Sequence, residues 1–230
     1  MKNGKLLPRV VHKEYFDVYG VADIDKEADR FGFVRPLGND VYAYLALQAE
    51  IAGTLALRTA QKEHLDQMGL NADTAWDQGY ANVATMIQEG AFKQSVTKTE
   101  TGNDWAVWIG ANFTSSCVLT PAFYKWCRTH LQGDRFMVCI ASTQLVFVLQ
   151  LCSREALVDF MPVVHKMLEG SASVVSTDWF VLSSIGLTPM PPMPSSRAAP
   201  QANQSAEPQE KKRSGLAQAF KTFRRILNRI

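Results

Sequence analysis

The chain has 230 residues, 47% hydrophobic and 20% charged, an ordinary globular composition that can bury a sizeable core. Its net charge of +2 hides an asymmetry: seven of the 24 Lys and Arg residues lie after residue 210, and all 22 acidic residues lie at or before it. Residues 1–210 therefore carry a net charge of −5, which argues against general nucleic-acid binding by the body of the protein.

The first seventy residues predict strands and turns followed by one long helix. In residues 1–38, Gly and Pro interrupt any helical pattern. Asn39–Asp40 then offers an N-cap, and the stretch Val41–Met68 is rich in Ala and Leu and contains no proline. We expect a long helix over this stretch, buried in its first half, with Gly69 as its C-cap.

The next segment predicts a helix and a hairpin. Asp73 or Thr74 caps a helix through Glu89, and two strands, Phe92–Thr99 and Asp104–Phe113, flank a turn signal. In the second strand, Trp105 and Trp108 stand three residues apart and must face opposite sides of the sheet. Core is the expected place for both tryptophans, and an exposed one would be a candidate contact residue.

The rest of the folded region continues the alternation of helices and strands. Pro121 follows a capping threonine and starts a helix that runs to Gln132. The last elements are apolar strands and one helix kinked by proline, predicted at Phe136–Ala141, Leu145–Leu151, 153–169 and Val174–Ile185. The sequence thus predicts an α+β domain over residues 1–186, with a mainly antiparallel sheet and packed helices.

A tail with a different composition follows this domain. Residues 187–212 are rich in Pro, Ser, Ala and Gln and predict a disordered linker. Residues 213–230 predict a basic amphipathic helix, since the apolar residues recur at steps of four, three, four and three. The apolar face consists of Leu216, Phe220, Phe223, Leu227 and Ile230, and the neighbouring basic residues are Lys221, Arg224, Arg225 and Arg229.

Three uses of this tail helix stay open at the level of sequence. It could lie on an anionic membrane surface, with its phenylalanines buried and its basic residues among the headgroups. It could bind a hydrophobic groove of a partner protein through its apolar face. It could also dock on the acidic body of its own chain and inhibit it.

The chemically reactive residues do not form a recognisable active site. Cys127 and His130 are three residues apart on a predicted helix, but their apolar neighbours favour a place in the core over a catalytic pair. Asp73 and Asp77 have no third ligand nearby, and no metal-ligand spacing surrounds the histidines. The sequence contains no common catalytic or nucleotide-binding motif, so we assign no catalytic residue, metal, cofactor or small-molecule substrate.

Cysteine usage and the absence of targeting signals indicate a cytoplasmic protein. The four cysteines form no CxxC pair, and apolar neighbours make reduced, structural thiols the expectation for Cys117, Cys127, Cys139 and Cys152. The beginning of the chain lacks the apolar core of a signal peptide. The most apolar stretch, Val41–Leu57, contains Gln48 and Glu50 and is too short to span a membrane.

Residues 75–170 resemble the second half of the YtpQ-like bacterial family of unknown function. The resemblance rests on the order of elements around the segment that begins at Ser116 and reads SCVLTP, and on Ala81–Asn82. It departs after Ala141, where this chain has Ser142, Thr and Gln and the family tends to have Pro, Arg and Asp. The resemblance implies a bacterial cytoplasmic α+β fold and supplies no catalytic residues.

These observations predict a non-enzymatic bacterial protein of the binding, inhibitor or regulatory type. It would act by contact with another protein, and its tail helix would bind a partner groove or the inner membrane surface. The alternatives are an enzyme whose site no motif reveals and an adaptor of the secretion or chaperone type. Nucleic acid is not an expected partner.

Overall fold

A computed structural model describes residues 4–21, 23–28, 30–51, 54–98, 104–110, 112–151, 154–169, 171 and 173–191. The strands within these residues are Lys5–His12 (β1), Arg35–Gly38 (β2), Val41–Ile51 (β3), Thr54–Thr59 (β4), Lys93–Thr97 (β5), Trp105–Ile109 (β6), Phe136–Ser142 (β7), Leu145–Gln150 (β8), Trp179–Ser183 (β9) and Gly186–Pro189 (β10). The helices are Glu14–Val18 (α1), Ile24–Glu27 (α2), Lys62–Met68 (α3), Ala72–Gln88 (α4), Pro121–His130 (α5) and Arg154–Leu168 (α6), together with a 3₁₀ helix at Thr114–Leu119. The protein is an α+β protein, as its sequence predicts.

The larger sheet has six antiparallel strands in the order β10-β9-β7-β8-β6-β5. Both of its faces are covered. Trp105 packs against Phe160 of α6 with ring centroids 5.3 Å apart, whereas Trp108 packs against Phe123 and Trp126 of α5, each at 4.9 Å. The two tryptophans therefore face opposite sides and both lie in the core, as predicted, since they are only 7% and 0% exposed.

The smaller sheet is centred on β3. On one side β1 pairs antiparallel with β3 over eight residues, from Lys5 opposite Gln48 to His12 opposite Val41. On the other side β2 pairs with the beginning of β3 and β4 with its end. Because β3 has neighbours along both edges for most of its length, most of its backbone groups bond within the sheet, and Leu45 bonds instead to Gly32 and Ala60.

The prediction of one helix over Val41–Met68 is wrong for most of its length. This segment forms β3, β4 and only then α3, which does end at the predicted cap Gly69, with a φ of 69°. Asn39 and Asp40, predicted as an N-cap, have φ values of 52° and 54° and form the two-residue turn between β2 and β3. A strand that is buried on both faces does not alternate between apolar and polar residues as a half-exposed strand does. The Ala and Leu residues therefore favour a helix in the sequence, but pairing with β1 makes the first part of this segment a strand.

Most of the remaining predictions are confirmed with small shifts. The hairpin β5–β6, the hairpin β7–β8, α6 with Pro162 inside it and the strand β9 all form. Asn71 rather than Asp73 or Thr74 caps α4, and Thr120 caps α5 with Pro121 at its first position.

The fold extends slightly beyond its predicted end. The strand β10, Gly186–Pro189, pairs with β9 and so belongs to the larger sheet. The first residues of the predicted linker are therefore part of the fold. The rest of the linker and the whole tail helix, residues 192–230, lie outside the described residues.

The long helix α4 lies on β1, and Gly79 permits this close approach. A Cβ at this position would be 3.1 Å from Cδ2 of Leu45 and 3.1 Å from Cδ of Pro8. The side chain of Asn82, one turn later, donates a hydrogen bond of 2.9 Å to the carbonyl oxygen of Leu6. The contact thus joins the smaller sheet to the helical layer.

Replacing Gly79 by Val should therefore destabilise the fold. The added methyl groups must push against Pro8 and Leu45, and we expect a loss of about 1–3 kcal/mol in the free energy of unfolding, measured by chemical denaturation. The matched control is Ala81→Val, at an exposed position of the same helix, which should cost only about 0.5 kcal/mol. Equal losses in the two variants would contradict the close packing of α4 on β1.

Candidate functional site

The residues predicted to bind a membrane or a partner cannot be placed. Leu216, Phe220, Lys221, Phe223, Arg224, Arg225, Leu227, Arg229 and Ile230 all lie outside the described residues. Their role stays a prediction from the sequence.

The pair Cys127 and His130 has no catalytic geometry. Cys127 is buried, and burial raises the pKa of its thiol far above the neutral range. The ring of His130 stacks on the ring of Trp126 with centroids 4.3 Å apart, and Nδ1 of His130 lies 2.9 Å from the carbonyl oxygen of Trp126. This arrangement supports the interpretation of the pair as structural.

The other titratable residues singled out from the sequence have ordinary structural partners. Asp73 pairs with Arg35 at 3.1 Å, and Nδ1 of His64 accepts a hydrogen bond of 2.9 Å from the backbone N–H of Gln61 at the start of α3. Burial raises the pKa of the Cys117 and Cys139 thiols, as it does for Cys127. Within the described part of the chain, no three His, Cys, Asp or Glu residues are grouped as metal ligands.

A cavity of about 470 Å³ on the outer side of the smaller sheet brings arginine and tyrosine side chains together. We call it the Arg–Tyr cavity. Its lining residues come from β1, α1, the turn after α2, β3 and β4: Arg9, Tyr15, Tyr19, Arg30, Phe31, Tyr44, Ala46, Leu57, Arg58, Thr59 and Gln61. Its volume lies in the range of small-ligand and side-chain binding sites.

The pairing of β1 with β3 builds the centre of this cavity. Arg9 and Tyr44 lie directly opposite each other in the antiparallel register, so their side chains share one face of the sheet. Nη1 of Arg9 donates a hydrogen bond of 3.1 Å to the hydroxyl oxygen of Tyr44. This bond fixes the guanidinium group on the floor of the cavity.

Helix α1 adds a second tyrosine to this centre. The ring of Tyr15 stacks on the ring of Tyr44 with centroids 5.5 Å apart and an interplanar angle of 16°, and the two hydroxyl oxygens are 2.9 Å apart. The guanidinium carbon of Arg9 lies 5.4 Å from the centroid of the Tyr15 ring. Buried Phe16, the next residue in α1, packs edge-on against Tyr15, Tyr42 and Tyr44 and anchors the helix.

The electrostatics of the cavity favour an anion. Three of the described lining residues are arginines and none is acidic, although Glu27 outside the lining approaches Arg30 at 3.7 Å. Nε of Arg9 is buried and has no hydrogen-bond acceptor among the described residues. A buried donor without an acceptor costs about 1–3 kcal/mol, and an anionic group that displaced the atoms covering Nε would remove this cost.

The mouth of the cavity is apolar and exposed. Tyr19 and Leu57 line it and are 59% and 36% exposed, and Val18, next to Tyr19 at the end of α1, is 82% exposed. Scattered exposed apolar residues are normal on a protein surface, but two of them in the lining of one charged cavity suggest a contact surface.

A second groove, of about 560 Å³, lies beside β9 and β10. It is larger than the Arg–Tyr cavity, but its charged lining residues, Asp134 and Arg135, are of opposite sign and both exposed. None of its described lining residues has a buried side-chain donor without an acceptor. The Arg–Tyr cavity is therefore the stronger candidate site.

Sequence reasoning missed this site because it depends on long-range pairing. Tyr44 fell inside a predicted helix, so nothing placed it opposite Arg9. One signal was available: four of the six tyrosines lie between residues 15 and 44, at positions 15, 19, 42 and 44.

Comparisons of the chain with protein-family models, with curated proteins and with solved structures found no match. The resemblance of residues 75–170 to the YtpQ-like family therefore stays a prediction. The described helices include none that is both long enough and apolar enough to cross a membrane.

The tyrosine pair should make stability fall at alkaline pH. Burial and the hydrogen bond to Tyr44 raise the pKa of the Tyr15 hydroxyl well above its usual 10, so the folded state keeps the proton that the unfolded state releases. The stabilising contribution is complete below pH 10 and is lost as the pH rises above it. The free energy of unfolding, measured between pH 9 and 11.5, should decline less steeply in Tyr15→Phe than in the wild type. Parallel curves would contradict the raised pKa.

Proposed function

We propose that this protein is a non-enzymatic binding protein that acts through contact with another protein, and that the Arg–Tyr cavity is the centre of that contact. The observation that carries the proposal is the position of Arg9. Its guanidinium group is held by Tyr44, flanked by Tyr15, and left with a buried donor that no described residue satisfies.

The composition of the cavity and its mouth supports a protein partner. Arginine and tyrosine are enriched among the residues that dominate binding energy at protein interfaces, and these residues cluster in pockets surrounded by apolar contacts. The Arg–Tyr cavity has the same arrangement, with Arg9, Tyr15 and Tyr44 at its centre and exposed Tyr19 and Leu57 in its lining.

The predicted tail helix would supply a second contact. The helix would bind either a groove of a partner protein or an anionic membrane surface. In a cytoplasmic bacterial protein, that membrane would be the inner membrane. Residues 192–215 separate Pro191 from Leu216, and a segment of this length with the disorder predicted for the linker would span roughly 25–30 Å on average. A tether of that reach would raise the effective concentration of the helix near a partner bound at the cavity.

One observation argues against an enzyme that uses a cysteine thiolate as its nucleophile. Cys117, Cys127 and Cys139 are buried with raised thiol pKa values, so none of these three provides a thiolate near neutral pH. An adaptor of the secretion or chaperone type would be a special case of the proposed binding protein, distinguished by its partner.

The cavity assignment predicts that partner capture depends on Arg9. In affinity purification with the full-length protein, Arg9→Gln should lose the partner recovered with the wild type, with an affinity at least about 10-fold lower. Tyr19→Ser and Leu57→Ser alter only exposed positions at the mouth and should also weaken capture. The control Arg128→Gln removes an exposed arginine from α5, away from the cavity, and should keep the partner.

Capture that is unchanged in Arg9→Gln, Tyr19→Ser and Leu57→Ser would contradict the cavity as the contact centre. The two mouth variants guard against a loss of binding that comes only from misfolding of Arg9→Gln. Thermal unfolding of every variant checks this directly.

The tail assignment predicts that a truncation after Pro191 loses membrane or partner association while the domain stays folded. This end point keeps β10 paired with β9, which a truncation at residue 186 would remove. Cosedimentation with vesicles of anionic phosphatidylglycerol, compared with neutral phosphatidylcholine, separates the two uses. Binding of the full chain to the anionic vesicles alone supports the membrane surface. If the truncated protein retains both vesicle binding and partner capture, the tail assignment is wrong.

A further inference from the structure

We infer that the group bound in the Arg–Tyr cavity is an oxyanion, a carboxylate or a phosphate, held by the Nε and Nη2 atoms of Arg9. The inference rests on the proposed function and adds to it the chemistry of the partner's contact: an acidic or phosphorylated side chain that inserts between the arginines and tyrosines.

The hydrogen bonding of Arg9 identifies the edge that binds. Nη1 donates to the hydroxyl oxygen of Tyr44 at 3.1 Å, and Nε is buried with no acceptor among the described residues. A guanidinium group presents Nε and Nη2 as two parallel N–H donors, which match the two oxygens of a carboxylate or phosphate. The pairing to Tyr44 thus uses neither donor of this edge, and a ligand reaches the buried Nε by displacing the atoms that cover it.

The two tyrosines hold this edge in place and add a donor. Tyr15 and Tyr44 have two hydroxyl hydrogens, and the 2.9 Å contact between their oxygens uses one of them. In that contact one tyrosine donates its hydroxyl hydrogen and the other accepts. The hydroxyl hydrogen of the accepting tyrosine remains for a further acceptor, either Tyr19 or an oxygen of the ligand.

The remaining lining residues fit an anion attached to an apolar or aromatic group. Arg30 and Arg58 also line the cavity, with Arg30 paired to Glu27 at 3.7 Å, and no described lining residue is acidic. Tyr19 and Phe31 contact each other with ring centroids 5.7 Å apart, next to Leu57 in the lining. These rings would cover the carbon part of the ligand while Arg9 binds its acidic oxygens.

The test follows the Nε–Hε cross-peak of Arg9 in two-dimensional ¹⁵N–¹H spectra of the full-length protein. The peak is assigned by its loss in Arg9→Lys. The probes are inorganic phosphate, benzoate and phenyl phosphate, with benzyl alcohol as the neutral match. We expect a saturable shift with each anion, tightest for phenyl phosphate, and no saturable shift with benzyl alcohol.

Two variants separate a specific site from general attraction of anions. Tyr44→Phe keeps the buried ring but removes the acceptor that holds Nη1, so it should weaken phenyl phosphate at least about 3-fold. Arg128→Gln should leave the affinity unchanged. The inference is overturned if no anion gives a saturable shift, or if benzyl alcohol shifts the peak equally.

Competition connects the oxyanion to the partner. Phenyl phosphate should elute the protein captured by the wild type, because both would occupy the Nε–Nη2 edge. Anion binding without elution would overturn the assignment of the oxyanion to the partner. Capture that depends on Arg9 while no anion binds would overturn the inference and leave the proposed function standing. Anion binding with capture independent of Arg9 would contradict the proposed function instead.

Discussion

The antiparallel pairing of β1 with β3 is the interaction on which both the fold and the candidate site depend. One face of the pair carries Pro8 and Leu45, which meet α4 at Gly79. The other face carries Arg9 and Tyr44, which form the floor of the Arg–Tyr cavity. A shift of one residue in this register would exchange the two faces, placing a guanidinium group against the helix. Packing on one side therefore fixes the chemistry on the other.

The site also depends on a short helix that could not stand alone. Helix α1 has five residues, too few to be stable in isolation, and it is held by buried Phe16 against Tyr42 and Tyr44. Its neighbour Tyr15 reaches the cavity only because of that anchor. A buried arginine donor without an acceptor lowers stability, and the surrounding aromatic contacts offset this loss. Local losses of this kind are common at binding sites.

The sequence predicted the elements whose signals are local. Thr120 followed by Pro121 starts α5, the breakers between β5 and β6 mark a hairpin, and Gly69 ends α3, because each of these depends on a few neighbouring residues. The pairing of β1 with β3 depends instead on residues from 29 (His12 and Val41) to 43 (Lys5 and Gln48) positions apart. Ala and Leu in β3 carry no β-propensity of their own, so only their pairing with β1 decides the outcome. Missing that pairing meant missing the cavity.

The contact between the turn Asn39–Asp40 and the end of the last strand has a consequence for folding. The side-chain amide of Asn39 donates to the carbonyl oxygen of Met190 at 3.2 Å, across 151 positions of the chain. Gly38, one residue earlier, lies against Pro189. Contacts between distant positions slow folding because a long loop must close before they form. During synthesis, the turn at Asn39–Asp40 therefore gains this partner only after residue 190 has been made.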